Sequence, residues 1–590
     1  MRPSRHANGL ATLLLLAAVL GTPQALANVR VDIEGVDGDA RSNVTALLSV
    51  ERYKARDDLD DDTILRLFNR IDDEVRSALK PLGWYEPKVE ASYEAQGPGN
   101  WRIRIAIEPG KPVLVALAEV RVEGDGAEDA VFRTALAAEA LQPGQQLHHG
   151  RYEQVKGELL RNAEANGYFD AVLERNELRV DVAHHSAEVH LLLRTGPRYR
   201  FGKLAIDQSV IRPELMQRFV RFQEGEPFSS NQLLRTLFAL DDSLYFSNVE
   251  VLPLLQDRDP QALTVPVRIE TKKSRRQFQL GAGYGNDTGP RGTFIWSDPR
   301  INERGHRLRV EVKASTITQS FDARYDIPIG DPATERLSVQ LTQRNDTSGD
   351  LRTRELSLKP SITRVSGTWQ RVLSVAATNT ATESASGRQT SNLLVPGISF
   401  ASVPEGYLGE ALFSRGFYAD LIGAAHVLGS DADFLRLHVQ TERVLDLAPA
   451  WHLLLRGEFG TSWSRDFSSL PGIYRFFAGG DRSVRGFGYN SLSPTRTVLD
   501  FNGVSQDIAV GGRHLVVGSA EVVRDLPRNL AVAAFVDAGN AFDHFGEPLA
   551  YAAGVGVRYR LPVVSIGLDI AQPLSQSGSP RLNINISPKL

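Results

Sequence analysis

From about Ser274 to Leu590 the chain keeps a period of two and loses every helical period. Arg307-Leu308-Arg309-Val310-Glu311-Val312-Lys313 alternates charged with aliphatic side chains, and Leu337, Val339 and Leu341, then Leu435, Leu437 and Val439, and finally Leu582, Ile584 and Ile586 repeat the pattern. Successive side chains on a strand point to opposite faces, so each run has one apolar and one polar side. Turn-forming groups such as Asn345-Asp346 and Ser348-Gly349-Asp350 separate the runs. Carried over residues 274–590, this pattern suits a sheet with lipid on one side and a wet lumen on the other. A run of soluble β-sandwiches is the rival reading. At about 20 residues per strand and turn, the segment has room for some 16 strands.

The N-terminus bears on which reading holds. Arg2, Arg5 and His6 precede an apolar core from Leu10 to Leu20, and Ala25-Leu26-Ala27 forms an A-x-A site. This reads as a secretory signal over residues 1–27, with cleavage between Ala27 and Asn28. The apolar run is too short for a membrane-spanning helix, and no later stretch is long enough. An exported chain of this kind can cross a membrane only as a closed barrel, because lipid tolerates no unpaired backbone. There is no cysteine, which excludes disulfide scaffolds, thiol catalysis and cysteine–zinc sites. The net charge of −4 gives no reason to expect nucleic acid as a partner.

Residues 28–273 follow another grammar, one unit written three times. The first copy has Ile64, Leu67, Phe68, Ile71, Val75 and Leu79 on one helix face, then Gly83-Trp84-Tyr85, then a strand through Ile103, Ile105 and Ile107. The second has Tyr152, Val155, Leu159 and Ala163, then Gly167-Tyr168-Phe169, then Val189, Leu191 and Leu193. The third has Leu233, Leu237 and Leu240, then Leu244-Tyr245-Phe246, then Leu263, Val265, Val267 and Ile269. Gly144-Gln145-Gln146-Leu147 also matches Gly225-Glu226-Pro227-Phe228. Repetition at this spacing means an array of small domains. The glycine is expected to end a helix in a left-handed cap, and the aromatic pair to serve each copy's own core. The order β-α-α-β-β with a glycine-aromatic step resembles the POTRA domain. The expected divisions are residues 28–112, 113–198 and 199–273 for three POTRA domains and 274–590 for the barrel. Function on these domains is expected at exposed strand edges, where an extended client can add by backbone hydrogen bonds.

Three segments of the second half carry a wider resemblance. Gly281-Ala282-Gly283-Tyr284-Gly285 opens it, followed by Ser297-Asp298-Pro299-Arg300-Ile301-Asn302. Tyr474 to Tyr489 then holds Val484-Arg485-Gly486-Phe487 among glycines and aromatics. Ser519-Ala520-Glu521 and Phe535-Val536-Asp537-Ala538-Gly539 follow. In this order, after three POTRA-like copies, they resemble the outer-membrane barrel-assembly superfamily, whose members insert and secrete other outer-membrane proteins. The resemblance implies a barrel of about 16 antiparallel strands behind POTRA domains in the periplasm. It also implies an inward loop latch in which Arg485, flanked by Gly486 and Phe487, is held by Glu521 and Asp537. The physical reason is that a guanidinium in a lumen of lowered dielectric needs carboxylates, and its fork accepts two.

The end Asn583-Ile584-Asn585-Ile586-Ser587-Pro588-Lys589-Leu590 lacks the terminal aromatic residue of many outer-membrane proteins. With three POTRA copies, it resembles the barrel subunit of the translocation and assembly module. That branch implies a TamB-like partner anchored in the inner membrane, unfolded client barrels such as autotransporters, and outer-membrane lipid around the protein. The seam between first and last strands is the expected working part. Gly281, Gly283 and Gly285 remove packing from one face of the first strand, while the last strand, with Ile584 and Ile586, loses a ladder donor at Pro588. No G-x-S-x-G, H-E-x-x-H, Walker loop or dinucleotide fingerprint occurs, so neither enzyme chemistry nor a cofactor is expected. His148-His149 and His184-His185 lack a third ligand and read as exposed loop residues, not metal sites. The alternatives are a general BamA-type insertase or a two-partner secretion transporter, and, from another class, a passive porin or lipid conduit.

Overall fold

The computed structural model describes residues 28–588 except 55, 57–58, 98–99, 134–140, 286–288, 349–350, 385–386, 404–415, 500–504 and 562–563. The signal segment through Ala27 and the last two residues lie outside the described residues, whereas Asn28 opens the first strand.

Each repeat folds as a three-stranded sheet under helices. The first sheet has β1 (Asn28–Glu34), β2 (Lys88–Gly97) and β3 (Asn100–Glu108) in the order β1-β3-β2. The second has β4 (Leu114–Glu123), β5 (Val172–Asp181) and β6 (Ser186–Arg194) in the order β4-β6-β5. The third has β7 (Arg200–Asp207), β8 (Phe246–Pro253) and β9 (Thr264–Lys273) in the order β7-β9-β8. The central strand takes the apolar face each time: Ile103, Ile105 and Ile107 on β3, Val189, Leu191 and Leu193 on β6, and Val265, Val267 and Ile269 on β9 are buried. Leu263 precedes β9 in a left-handed turn (φ 51°) and does not join that row. The first copy's helix face divides into two helices, Asp61–Phe68 and Ile71–Leu79. Asp60 caps the first by accepting from the Thr63 amide. The spacing of the apolar row nonetheless carries across the break, with Ile64, Leu67, Ile71, Val75 and Leu79 in one core.

The glycine caps are left-handed as expected, φ +90° at Gly83 and +87° at Gly167. The second aromatic of the step has a different job from the one expected. Tyr85 packs with Val113, Val115 and Leu147 of the second copy, and its hydroxyl lies 2.6 Å from His149 Nε2. Phe169 stacks edge-on with Tyr199 and Phe228, leaving Tyr168 in the second core. The matched segments around Leu147 and Phe228 complete each joint. The Val113 amide donates to Gly83 O and the Leu147 amide to Val113 O, just as the Tyr199 amide donates to Gly167 O and the Phe228 amide to Tyr199 O. Pairing by sequence alone could see that these segments correspond, but not that they span two copies. His149, expected in an exposed loop, instead begins the helix His149–Ala165 and is half-buried in the joint.

Sixteen antiparallel strands form the barrel sheet, in chain order. They begin with β10 (Gln277–Gly285), β11 (Gly289–Asp298), β12 (Arg307–Ser315), β13 (Thr318–Pro328) and β14 (Glu335–Ser348). Next come β15 (Leu351–Ser366), β16 (Trp369–Ser384), β17 (Gly387–Ser402), β18 (Gly416–Ala424), β19 (Phe434–Ala448) and β20 (Trp451–Ser464). A long connection carrying the hairpin β21 (Thr495–Leu499) and β22 (Ser505–Ala509) leads to β23 (His514–Leu526). The sheet ends with β24 (Leu530–Phe542), β25 (Ala550–Arg560), β26 (Val564–Pro573) and β27 (Arg581–Pro588). Asn345-Asp346, expected as a turn, lie inside β14 and pair with β13 and β15, so the local turn preference yields to the ladder.

The alternation places Val532 and Val536 outward and Ala531, Ala533, Phe535 and Asp537 inward on β24. Trp369, Trp451 and Trp463 are among the exposed outer residues. Among the described residues no helix is long and apolar enough to cross a membrane.

By compactness the chain divides into two units: residues through Gly202 with 224–230 and 255–265, and the remainder. Within the second unit, the third repeat is fastened to the barrel turns. Tyr245 donates to Gly305 O at 2.7 Å, under the Arg307 guanidinium. Arg221 pairs with Asp331 at 2.8 Å, and Arg300 donates to Val210 O at 2.8 Å.

Candidate functional site: an arginine latch and an open seam

The connection between β20 and β23 packs inside the barrel because its apolar side chains find an apolar wall. Phe476, Val484 and Phe487 are buried against Leu515, Val517, Ala541, Ala550 and Ala552. The inner face of β23–β25 is therefore not uniformly wet, contrary to the alternation argument; small alanines make room for the loop. The loop is also tied to itself: Phe476 and Gly512 exchange both backbone hydrogen bonds, as do Ala478 and Leu492.

Arg485 sits at the tip, 3% exposed. Its Nε donates to Asp537 Oδ2 at 2.7 Å and Nη2 to Asp537 Oδ1 at 2.9 Å, a bidentate fork. Nη1 donates to Glu521 Oε2 at 2.6 Å. The Arg485 backbone N–H adds a bond to Asp537 Oδ2 at 3.1 Å, and Nη2 reaches Ser519 Oγ at 3.3 Å. The guanidinium lies 3.3 Å from the centroid of the Phe535 ring, which stacks on one of its faces. Asp537 is fully buried and Glu521 is 5% exposed. Gly486, at φ +92°, turns the tip where a Cβ would press on Ala552 and Ala571. The five residues expected to form the latch thus come together.

Sequence reasoning missed three charges around them. Arg558 on β25 donates to Glu521 Oε1 at 3.1 Å and forms a two-pronged pair with Asp569 on β26. Asp569 is also 3.7 Å from Arg485 Nη1. Arg456 on β20 donates to Ser519 Oγ at 3.1 Å and to Arg482 O at 3.2 Å. Three arginines thus meet three carboxylates in a low-dielectric site, where a net charge would be costly. A second hold lies at Phe476, whose ring is covered by Arg436 at 4.3 Å and flanked by His438 at 5.7 Å. His438 contacts Glu458 at 2.7 Å. The signal available in sequence was faint: inward positions of a period-two strand bearing charge, which many lumen-facing residues also satisfy.

Beside the loop the lumen keeps a cavity of about 720 Å³ lined by Arg344, Glu355, Arg388, Tyr474, Tyr489 and Arg496 among others. No group of residues suited to a metal ion occurs among the described residues.

The seam residues fall on the two end strands of the sheet. Gly281, Gly283 and Gly285 lie on β10, which among the described residues pairs with β11 alone, and the backbones of Ile584, Ile586 and Pro588 lie on β27, which among them pairs with β26 alone. Among the described residues no ladder joins β10 to β27, although their Cα atoms come within 8 Å. Pro588 is the last residue of β27, its backbone opposite Val564. On β10, Leu280 is 86% and Phe278 66% exposed.

Two family models match the chain. The Omp85 superfamily domain covers residues 301–587, and the POTRA domain described as TamA domain 1 covers residues 30–109. Among solved structures, the chain resembles BamA from Haemophilus ducreyi lacking POTRA domains 1-3, at 14% identity and a TM-score of 0.62, over 80% of this chain and 99% of that one. CdiB from Acinetobacter baumannii matches at 14% identity and a TM-score of 0.45, over 81% of this chain and 90% of that one. The sixteen-stranded sheet agrees with the Omp85 match and, in fold, with the BamA barrel. The chain belongs to the Omp85 superfamily, as a TamA-like member with POTRA domains ahead of its barrel.

Proposed function

We propose that this protein is the barrel subunit of a translocation and assembly module, binding client β-barrel proteins such as autotransporters and guiding their insertion or secretion without covalent chemistry. Its POTRA domains lie in the periplasm and meet a TamB-like, inner-membrane-anchored partner. The observation that carries the reading is the unpaired seam: among the described residues β10 and β27 are neighbours without a ladder, directly after a POTRA array that begins with a TamA-type domain. An edge with free N–H and C=O groups is a template for a client strand, which gains backbone hydrogen bonds by adding to it. The barrel itself stays folded through the latch while the edge is free.

With no native cysteine, a pair placed in 281–285 and 582–586 gives a clean lock, with several registers tried. The oxidised, cross-linked protein should lose client assembly and regain it on reduction. Equal activity in both forms would rule out lateral opening. Affinity capture separates the family alternatives: recovery of a TamB-like protein supports this reading, and recovery of a set of lipoproteins points to a general insertase. A large steady conductance in planar bilayers would favour a porin.

A further inference from the structure

We infer that Arg558 and Asp569 are positioning residues that carry the hold of the inward loop past the Glu521–Asp537 wall to the terminal hairpin β26–β27, so that the state of the latch sets the freedom of the seam. The inference rests on the reading that the β10–β27 seam is where the barrel opens.

The register shows how the pair is seated. Gly556 on β25 faces Asp569 on β26, and Arg558 faces Gly567, so each charged residue lies opposite a glycine of the neighbouring strand. A Cβ on Gly556 would overlap the Asp569 carboxylate, and one on Gly567 would lie 3.3 Å from Arg558 Cδ. The two glycines thus clear a trough in which the side chains cross between strands. A surface ion pair needs no such clearance. Within the trough, Arg558 bonds both Glu521 and Asp569, and Glu521 bonds both Arg485 and Arg558. The result is an unbroken charge path from the loop tip through β23 and β25 to β26.

The last step of that path touches β27. Asp569 faces Asn583 in the ladder, and Asn583 is 5% exposed with an Nδ2 that has no hydrogen-bond partner among the described residues. A buried amide left unpaired is costly, and here it lies beside a carboxylate whose other contacts are already engaged by the latch. The tip also meets the hairpin directly: a side chain at Gly488 would come within 3.5 Å of Arg581 Nη1, at the start of β27. With the latch closed, β26 is held by ionic bonds from inside the lumen, and β27 is fixed through its ladder with β26. With Arg485 withdrawn, Asp569 and Glu521 share one arginine fewer, and the hairpin loses its inner support.

The test uses full-length protein in phospholipid nanodiscs, with spin labels at Ala282 and Ile584 across the seam and, separately, at Gln340 and Lys359 on the far wall. Heat-modifiable electrophoretic mobility selects folded barrels. Arg558→Ala and Asp569→Asn are expected to broaden the seam distance distribution as Arg485→Ala does. Combining Arg485→Ala with Asp569→Asn should add nothing beyond Arg485→Ala, as for steps in series. The far-wall distribution should stay that of the wild type. Gly556→Ala, which removes no charge, should reproduce the seam effect by displacing Asp569, and Arg558→Lys should restore part of it. A wild-type seam in either Arg558→Ala or Arg485→Ala overturns the coupling, as does equal broadening at both walls. Client assembly is measured separately: a seam that responds while client assembly does not would leave the coupling standing and count against the opening mechanism.

Discussion

Two stretches of one sheet are built in opposite ways. The wall from β20 to β26 carries five buried or half-buried charges, and a folded loop packed over it adds Arg485 to the same network. At the other end, β10 has glycine at three of its nine positions, exposes Phe278 and Leu280, and is held on one side only. The ladders are of comparable kind, so backbone hydrogen bonding does not separate the two. Inner-face side chains do: one wall is braced by the loop from within, while β10 meets β11 through its ladder and the Phe278–Phe294 contact, near turns at Gly305 and Asp331 that fasten to the third repeat. A barrel built this way stays folded while one line of it remains cheap to open.

The comparison breaks first at Arg485. Arg485→Ala leaves two carboxylates buried without their main cation, and removal of one partner from a buried pair costs on the order of 3–5 kcal/mol. Thermal unfolding followed by heat-modifiable mobility should show a large drop, and Arg485→Lys should recover only part of it, because a point charge cannot reproduce the bidentate fork. An unchanged melting profile in Arg485→Ala would mean the braced wall is not braced.

Fastening of the seam side to the third repeat is weaker. Tyr245→Phe removes the donor to Gly305 O and should cost about 1 kcal/mol, seen as faster amide exchange in residues 299–306 with no change at β23–β24. If exchange rises equally in both places, the third repeat is not a local support.

The seam strand should respond in the other direction. A Cβ at Gly281 would meet Thr293 Cβ at 3.6 Å, an ordinary contact, so Gly281→Ala should stabilise β10 by about 0.4–1 kcal/mol and slow client assembly. Faster assembly in this variant would show that looseness of β10 is not what the protein uses.

The smallest effect belongs to the joint between the first two repeats. Burial, reinforced by the Lys80 charge, pushes the His149 pKa below its usual 6.5. The native state then binds fewer protons than the unfolded one, so stability is fully present above about 6.5 and declines as pH falls through the native pKa. Melting of residues 28–273 between pH 7.5 and 5 should show this slope, and His149→Gln should flatten it. An identical slope in both would place the pH sensitivity elsewhere.

Local pattern made much of this legible. The helix faces around Val75, Leu159 and Leu240, the central strands of the repeats, and the barrel alternation at Arg307–Lys313 all follow from periodicities that a short stretch of chain imposes on itself. Arg485, Glu521 and Asp537 were found through a resemblance, because nothing local relates a loop residue to carboxylates 36 and 52 positions away. Local reading failed at Asn345-Asp346, where a turn preference lost to a sixteen-stranded ladder. It failed again at Tyr85 and Phe169, whose packing partners come from the next repeat.

The sequence by itself determined where helix gives way to strand, which face of each strand meets lipid, and that three similar domains precede a barrel, because these depend on spacing within a few residues. Only the tertiary structure decided that Arg558 and Asp569 join the latch, that the aromatic steps fasten one repeat to the next, and that β10 and β27 stand side by side with no ladder among the described residues. Each of these depends on register between distant segments, and register is set by the sum of all the ladders and packing contacts at once, not by any one stretch of chain.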